Sequence, residues 1–151
     1  MSATALTIRS LENRVGEEIA VSPWLEITQE RIDTFAKAID DYQWIHVDRE
    51  RAKRSPYGTT IAHGFLTLSL VAHLSEMTFS FSDRKMGLNY GLNRVRFTAP
   101  VPSGSKVRAR FTLAQYDKIE GGVQVGWKVV MEREGGEKPV MVAETIARHF
   151  F

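Results

Sequence analysis

The stretch Asp41–Ser69, DYQWIHVDRERAKRSPYGTTIAHGFLTLS, decides how the rest of the chain is read. It opens with a carboxylate and an imidazole, Asp41 and His46, and closes on Ala62-His63-Gly64 at the entry to an apolar helix. From Gly64 onward, Phe65, Leu66, Leu68, Leu70, Val71, Ala72, Leu74 and Met77 point almost all round a helical wheel. Such a helix must be buried on most sides. At roughly 15 residues it is too short to span a bilayer. Enclosure by a sheet is the simplest arrangement.

Upstream, a small helix is expected around Ser10–Arg14, and Ala20–Ile27 alternates as a strand, with Pro23 at an edge or bend. Thr28 is a good N-cap, Glu30 adds favourable charge in the first turn, and Ile27 and Ile32 occupy the staple positions. Ile32, Phe35, Ala36 and Ile39 follow i, i+3, i+4, i+7, which predicts an amphipathic helix over Thr28–Ile39. Asp40 and Asp41 end it, because short acids favour turns over helix interiors. Asp41 and His46 are therefore expected on the loop that follows. Arg49–Lys53 suits one solvated helical turn, and Pro56-Tyr57-Gly58 signals a turn.

Downstream, Val95, Phe97 and Ala99 alternate with Arg94, Arg96 and Thr98. Val107, Ala109, Phe111 and Leu113 alternate with Lys106, Arg108, Arg110 and Thr112, and a third run extends from Val123 to Met131. Period-two alternation puts one face in and one out. Gly121-Gly122 and Gly135-Gly136 punctuate hairpins, and Pro139–Phe151 supplies a last strand. Helices followed by a meander predict an α+β fold, a helix packed on an antiparallel sheet.

The chain has 151 residues, enough for one domain (1–151) with a real core. A net charge of +2 is too small to argue for nucleic acid. No apolar run is long enough for a membrane span. The absence of cysteine rules out disulfides, thiol catalysis and four-Cys zinc sites. No secretory signal is evident at MSATALTIRSLENRVGEE, and a cytoplasmic location is expected.

Asp40-Asp41-Tyr42-Gln43-Trp44-Ile45-His46, followed by Ile61-Ala62-His63-Gly64-Phe65, resembles the MaoC-like (hydratase-2) family. In that family a Gly-Asp-x-Asn-Pro-x-His run precedes an Ala-His-Gly entry to the central helix of a hot-dog fold. Gln43-Trp44 in place of Asn-Pro is similar to the branch of nodulation protein N. The likeness runs from about Ile27 to Val101. It implies an antiparallel sheet wrapped around a central helix. It also implies (R)-specific enoyl-CoA hydratase activity: reversible syn addition of water to a trans-2-enoyl-CoA, without a cofactor.

Hydration of such a thioester needs an activated water and a proton for the neighbouring carbon, work that a carboxylate and an imidazole can share. Asp41 and His46 are the catalytic candidates; on spacing alone, Asp41 could merely finish a helix and His46 merely pack. Which takes the first proton stays open, because coupled groups titrate as a pair. The resemblance places an oxyanion donor at Gly64, where free N–H groups at a helix start favour negative charge. A glycine there also suits close helix–sheet contact. The resemblance further implies that Ser69 hydrogen-bonds the catalytic carboxylate, although a helix Ser more often bonds back to its own backbone.

His63 reads as a structural hydrogen-bonding residue near the substrate. Gln43 and Trp44 would shape the acyl pocket. Arg94 and Arg96, in a basic row continued by Lys106, Arg108 and Arg110, could meet coenzyme A phosphates. A charge row is more often a solvated sheet face. No metal is expected, since His46, His63, His73 and His149 lack ligand spacing such as H-E-x-x-H. Gly87–Asn93 (GLNYGLN) is not a dinucleotide loop. Two rivals remain, a hot-dog thioesterase and a non-catalytic acyl-binding protein. Exposed sheet edges and the resemblance predict at least a homodimer.

Overall fold

The computed structural model describes residues 2–151. In chain order the elements are β1 (Thr4–Leu6), a 3-10 turn (Arg9–Leu11), β2 (Glu18–Val21), β3 (Leu25–Glu26), α1 (Gln29–Ile39), α2 (Trp44–Val47) and α3 (Arg49–Lys53). Then follow α4 (Gly64–Thr78), β4 (Phe79–Phe81), β5 (Met86–Phe97), β6 (Lys106–Ile119), β7 (Gly122–Arg133) and β8 (Met141–Phe150). The main sheet runs β2-β6-β7-β8-β5, with β3 also paired to β6, and all its pairs are antiparallel. β1 and β4 form a separate parallel pair.

The inward residues of the sheet are those the alternation selects. Val107, Ala109, Phe111 and Leu113 on β6, and Val123, Val125, Trp127, Val129 and Met131 on β7, are all buried. They share one core with Leu66, Leu70 and Leu74 of α4. This is the helix-on-sheet, α+β hot-dog arrangement that the resemblance implies.

Two expectations need correction. The strand expected over Ala20–Ile27 is two short strands, because the chain bends at Ser22-Pro23. Ser22 Oγ donates to the Pro23 carbonyl and accepts the Ala109 amide, filling the gap in the ladder. Gly87–Asn93, which is not a dinucleotide loop, is the first half of β5, paired along β8 through two register shifts. Second, burial of α4 on most sides is met only in part: Phe65, Ser69, Ala72 and His73 are exposed. β5 is the neighbouring edge strand, and Leu88, Tyr90, Leu92 and Phe97 on it are each about half exposed. Along β5 only Gly91 and Val95 are partly buried, and the other residues are exposed.

Candidate active site

Local chemistry at the end of α1 sets the first side chain. Thr28 caps the start by accepting the Arg31 amide, and Asp40 closes the helix in the left-handed region at φ 57°. Short acids tolerate that conformation better than most residues. The turn brings both the Asp40 and Asp41 amides onto the Ala36 carbonyl. Asp41 Oδ1 then accepts the Gln43 amide at 3.2 Å, an Asx-type turn that throws the chain into α2. His46 rides on this helical turn, not on a loop as the sequence predicts.

His46 is buried and tightly held. Its Nδ1 lies 2.7 Å from the Ile61 carbonyl, so this nitrogen carries the proton and donates, leaving Nε2 as a bare acceptor. From behind, Gln29 Nε2 donates to the His46 carbonyl at 2.8 Å, while Thr60 donates its hydroxyl to the Gln29 side-chain oxygen. Burial pushes the His46 pKa below the ordinary 6.5; nearby His63 adds to this, while the Ile61 bond and Asp41 oppose it. The ring is therefore neutral at physiological pH.

His63 completes the cluster. Its Nε2 donates to the Asp41 carbonyl oxygen at 3.1 Å, and its ring stacks on His46 at 3.8 Å between centroids. Phe35 of α1 packs edge-on against the other side of His63. His63 Nδ1 has no partner among the described residues. One ligand-type atom each from Asp41, His46 and His63 lies within 4.8 Å of the others. No local motif foretells this grouping, because His63 joins from a different segment. Three such acceptors could seat a divalent cation, and they could equally hold a water by its protons.

Gly64 opens α4 directly after His63. A Cβ there would sit 2.7 Å from the Phe97 ring, so any larger residue requires that half-exposed ring to shift. Its amide has no hydrogen-bond partner among the described residues, as expected of a helix's first N–H groups. Close contact and free donor therefore coexist at this residue.

Beyond this helix start lies a cavity of about 570 Å³ between α4, β5 and β8, with Leu68, Ser69, Ala72, Leu88, Leu92 and Trp127 on its walls. Ser69 faces it, but its hydroxyl bonds back to the Phe65 carbonyl at 2.7 Å rather than to Asp41. Gln43 is exposed, and Trp44 lies under the Arg51 guanidinium; neither lines the cavity. Arg94 and Arg96 are exposed on edge strand β5. Arg108 pairs with Glu132, and Arg110 with Glu18 and Glu132, so those two are occupied within the sheet.

Two supports for His46, Gln29 and Thr60, had no signal in the sequence. His149, on the cavity wall, had one. It shares the inward parity of Met141 and Ala143 along β8.

A model of the family described as MaoC like domain matches residues 10–134. The chain is 46% identical over 144 residues to 3-hydroxyacyl-thioester dehydratase Z of Mycobacterium tuberculosis, covering 95% of each chain. It is 45% identical over 147 residues to nodulation protein N of Rhizobium leguminosarum bv. viciae, covering 93% of this chain and 89% of that one. The unliganded R-hydratase of Pseudomonas aeruginosa superposes with a TM-score of 0.71 at 22% identity, over 91% of this chain and 83% of its own, a likeness of fold.

Proposed function

This chain belongs to the MaoC-like dehydratase family and is a hydro-lyase, and from that premise we propose that it is an (R)-specific enoyl-CoA hydratase, with residues 1–151 acting as one domain. Its reaction is the reversible syn hydration of a trans-2-enoyl-CoA to the (R)-3-hydroxyacyl-CoA. The observation that carries this reading is the pair of acceptors, the Asp41 carboxylate and the bare Nε2 of a neutral His46, held together at the start of α4.

A water held between them donates a proton towards each and turns a lone pair to the β-carbon. As the new O–C bond forms, the pair takes one proton from the water and returns one to the α-carbon on the same face. The thioester oxygen gains charge in the transition state. The Gly64 amide, backed by the helix dipole, would stabilise that charge selectively. The acyl chain follows α4 into the cavity. The thioesterase rival is disfavoured: α4 carries no acid before Glu76, and Glu76 is exposed and paired with Arg84.

The exposed apolar edge of β5 beside the open face of α4 supports a homodimer with acyl-CoA bound near the subunit interface. Ultraviolet loss of the enoyl thioester chromophore, with chiral analysis of the product, tests the reaction. Release of free thiol instead, or an (S)-3-hydroxyacyl product, would overturn it. Sedimentation of an active species at 17.1 kDa would overturn the dimer.

A further inference from the structure

The Asp41–His46–His63 cluster and the cavity beyond it are separate spaces. The cluster ends at His63, whereas the cavity's walls begin at Leu68 on α4 and Leu92 on β5 and include none of Asp41, His46, His63 and Gly64. Gly64 and Leu68 are four residues apart, about 6 Å along the helix at 1.5 Å per residue. An acyl chain whose thioester oxygen sits at the Gly64 amide has to cross that turn to reach the cavity.

Two residues of the turn, Leu66 and Thr67, are buried in the protein. The other two meet one ring on β5. The point where a Cβ would stand on Gly64 is 2.7 to 2.9 Å from three atoms of the Phe97 ring. Phe65 approaches the same ring edge-on, with centroids 6.2 Å apart. Val95, two residues earlier and on the same face of β5, packs on the core.

The chain beyond Phe97 is tied down: the Thr98 amide donates to the Val140 carbonyl at 3.0 Å, and the Thr98 hydroxyl to the Pro139 carbonyl. Any room made at this point comes from the ring itself, which is 45% exposed.

Resting on the hydratase reading, we infer that the Phe97 ring, braced by Gly64 and Phe65, is the neck between the reacting carbons and the cavity, and that it selects acyl chains unbranched next to the double bond. Neither ring carries a polar atom, so selection here is by shape. A straight chain passes the ring edge. A methyl branch on the carbon just beyond the double bond falls within the tight turn and has to displace the ring, the situation of an overpacked core. Because the ring has solvent on one side, it yields at a cost, and the preference is graded rather than absolute.

The test uses matched pairs of trans-2-enoyl-CoA thioesters, straight or methyl-branched on the carbon after the double bond, with the full-length protein. The readout is the ratio of kcat/KM, straight over branched, so that any general effect of a substitution on Gly64 cancels. The wild type should prefer the straight chain by about tenfold, the worth of one misplaced methyl group. Phe97→Ala should bring the ratio close to one, and Phe97→Leu should give an intermediate value. Leu92→Ala, beyond the neck, should leave the ratio at its wild-type value. Circular dichroism checks that the variants fold.

A wild-type ratio near one, a ratio unchanged in Phe97→Ala, or a ratio that collapses equally in Leu92→Ala would each overturn the inference. If the wild type hydrates none of the thioesters, the hydratase reading fails instead. Calorimetric binding of the same pairs to wild type and Phe97→Ala then decides the neck separately: a straight-chain preference lost in Phe97→Ala supports it, and equal affinities in the wild type overturn it.

Discussion

The imidazoles of His46 and His63 lie face to face, with centroids 3.8 Å apart and planes inclined by 22°. The stack joins the α2 turn to the start of α4, and the Asp41 carbonyl is tied to His63 from the other side. Two histidines this close and this buried resist a shared positive charge, and His63 is one of the causes holding the His46 pKa down. His63→Phe keeps an aromatic partner but removes that cause and the Asp41 tether. The acid limb of the kcat/KM profile should move to higher pH, with reduced turnover. An unmoved limb would show that burial alone sets the His46 value.

Asp41→Asn and His46→Gln each remove one acceptor for the reacting water. Each should lower turnover by about 10²–10⁴-fold. If both residues manage one water, the double variant should be little worse than the worse single one. Near-normal hydration by Asp41→Asn would show the site is misassigned. Because the proposed chemistry uses Asp41 and His46 to hold water, a chelator should leave turnover unchanged. Loss of activity with recovery on adding a metal would make Asp41, His46 and His63 a metal site.

The Gly64–Phe97 contact is testable by repair. Gly64→Ala places a methyl group against the Phe97 ring and should cost about 1–3 kcal/mol by overpacking. Combining it with Phe97→Ala should restore part of that loss by making room, read as denaturant midpoints. A double variant no more stable than Gly64→Ala would show that the ring is not the obstacle.

α4 owes its place to the core. Leu74→Ala should cost about 2–5 kcal/mol, since the side chain is fully buried, whereas Phe65→Ala on the exposed face should cost far less in chemical denaturation. Equal costs would show that a partner covers Phe65.

His149 couples stability to pH. Its folded value, about 4, lies below the ordinary 6.5 of the unfolded chain. Between those values the unfolded chain binds a proton that the folded chain does not. The resulting stability is complete above pH 6.5 and declines as pH falls towards 4. His149→Phe should therefore lose about 2 kcal/mol less than the wild type on moving from roughly pH 7 to pH 5. Parallel losses in the two proteins would show that the ring is not neutral in the folded state.

Local rules were enough for the parts of this protein that depend on near neighbours. The Thr28 cap, the stop at Asp40, the apolar wheel of α4 and the alternation of β6 and β7 are all set by residues within a turn or a pleat of one another. The pairing of Asp41 with His46 was legible because five positions across a helix end leave few places for the two to go. The rest needed the tertiary structure. His63 reaches the Asp41 carbonyl across 22 positions, next to an Ala62 amide that is bonded to the Val101 carbonyl. The tight space at Gly64 comes from Phe97, a residue on β5. Ser69 could have faced Asp41, yet its own helix offered a nearer acceptor. His149 carries the inward parity of its strand, but parity says only which face a residue is on. What stands opposite that face, here an open cavity, is decided by the packing of α4 against a sheet whose last strand has no neighbour.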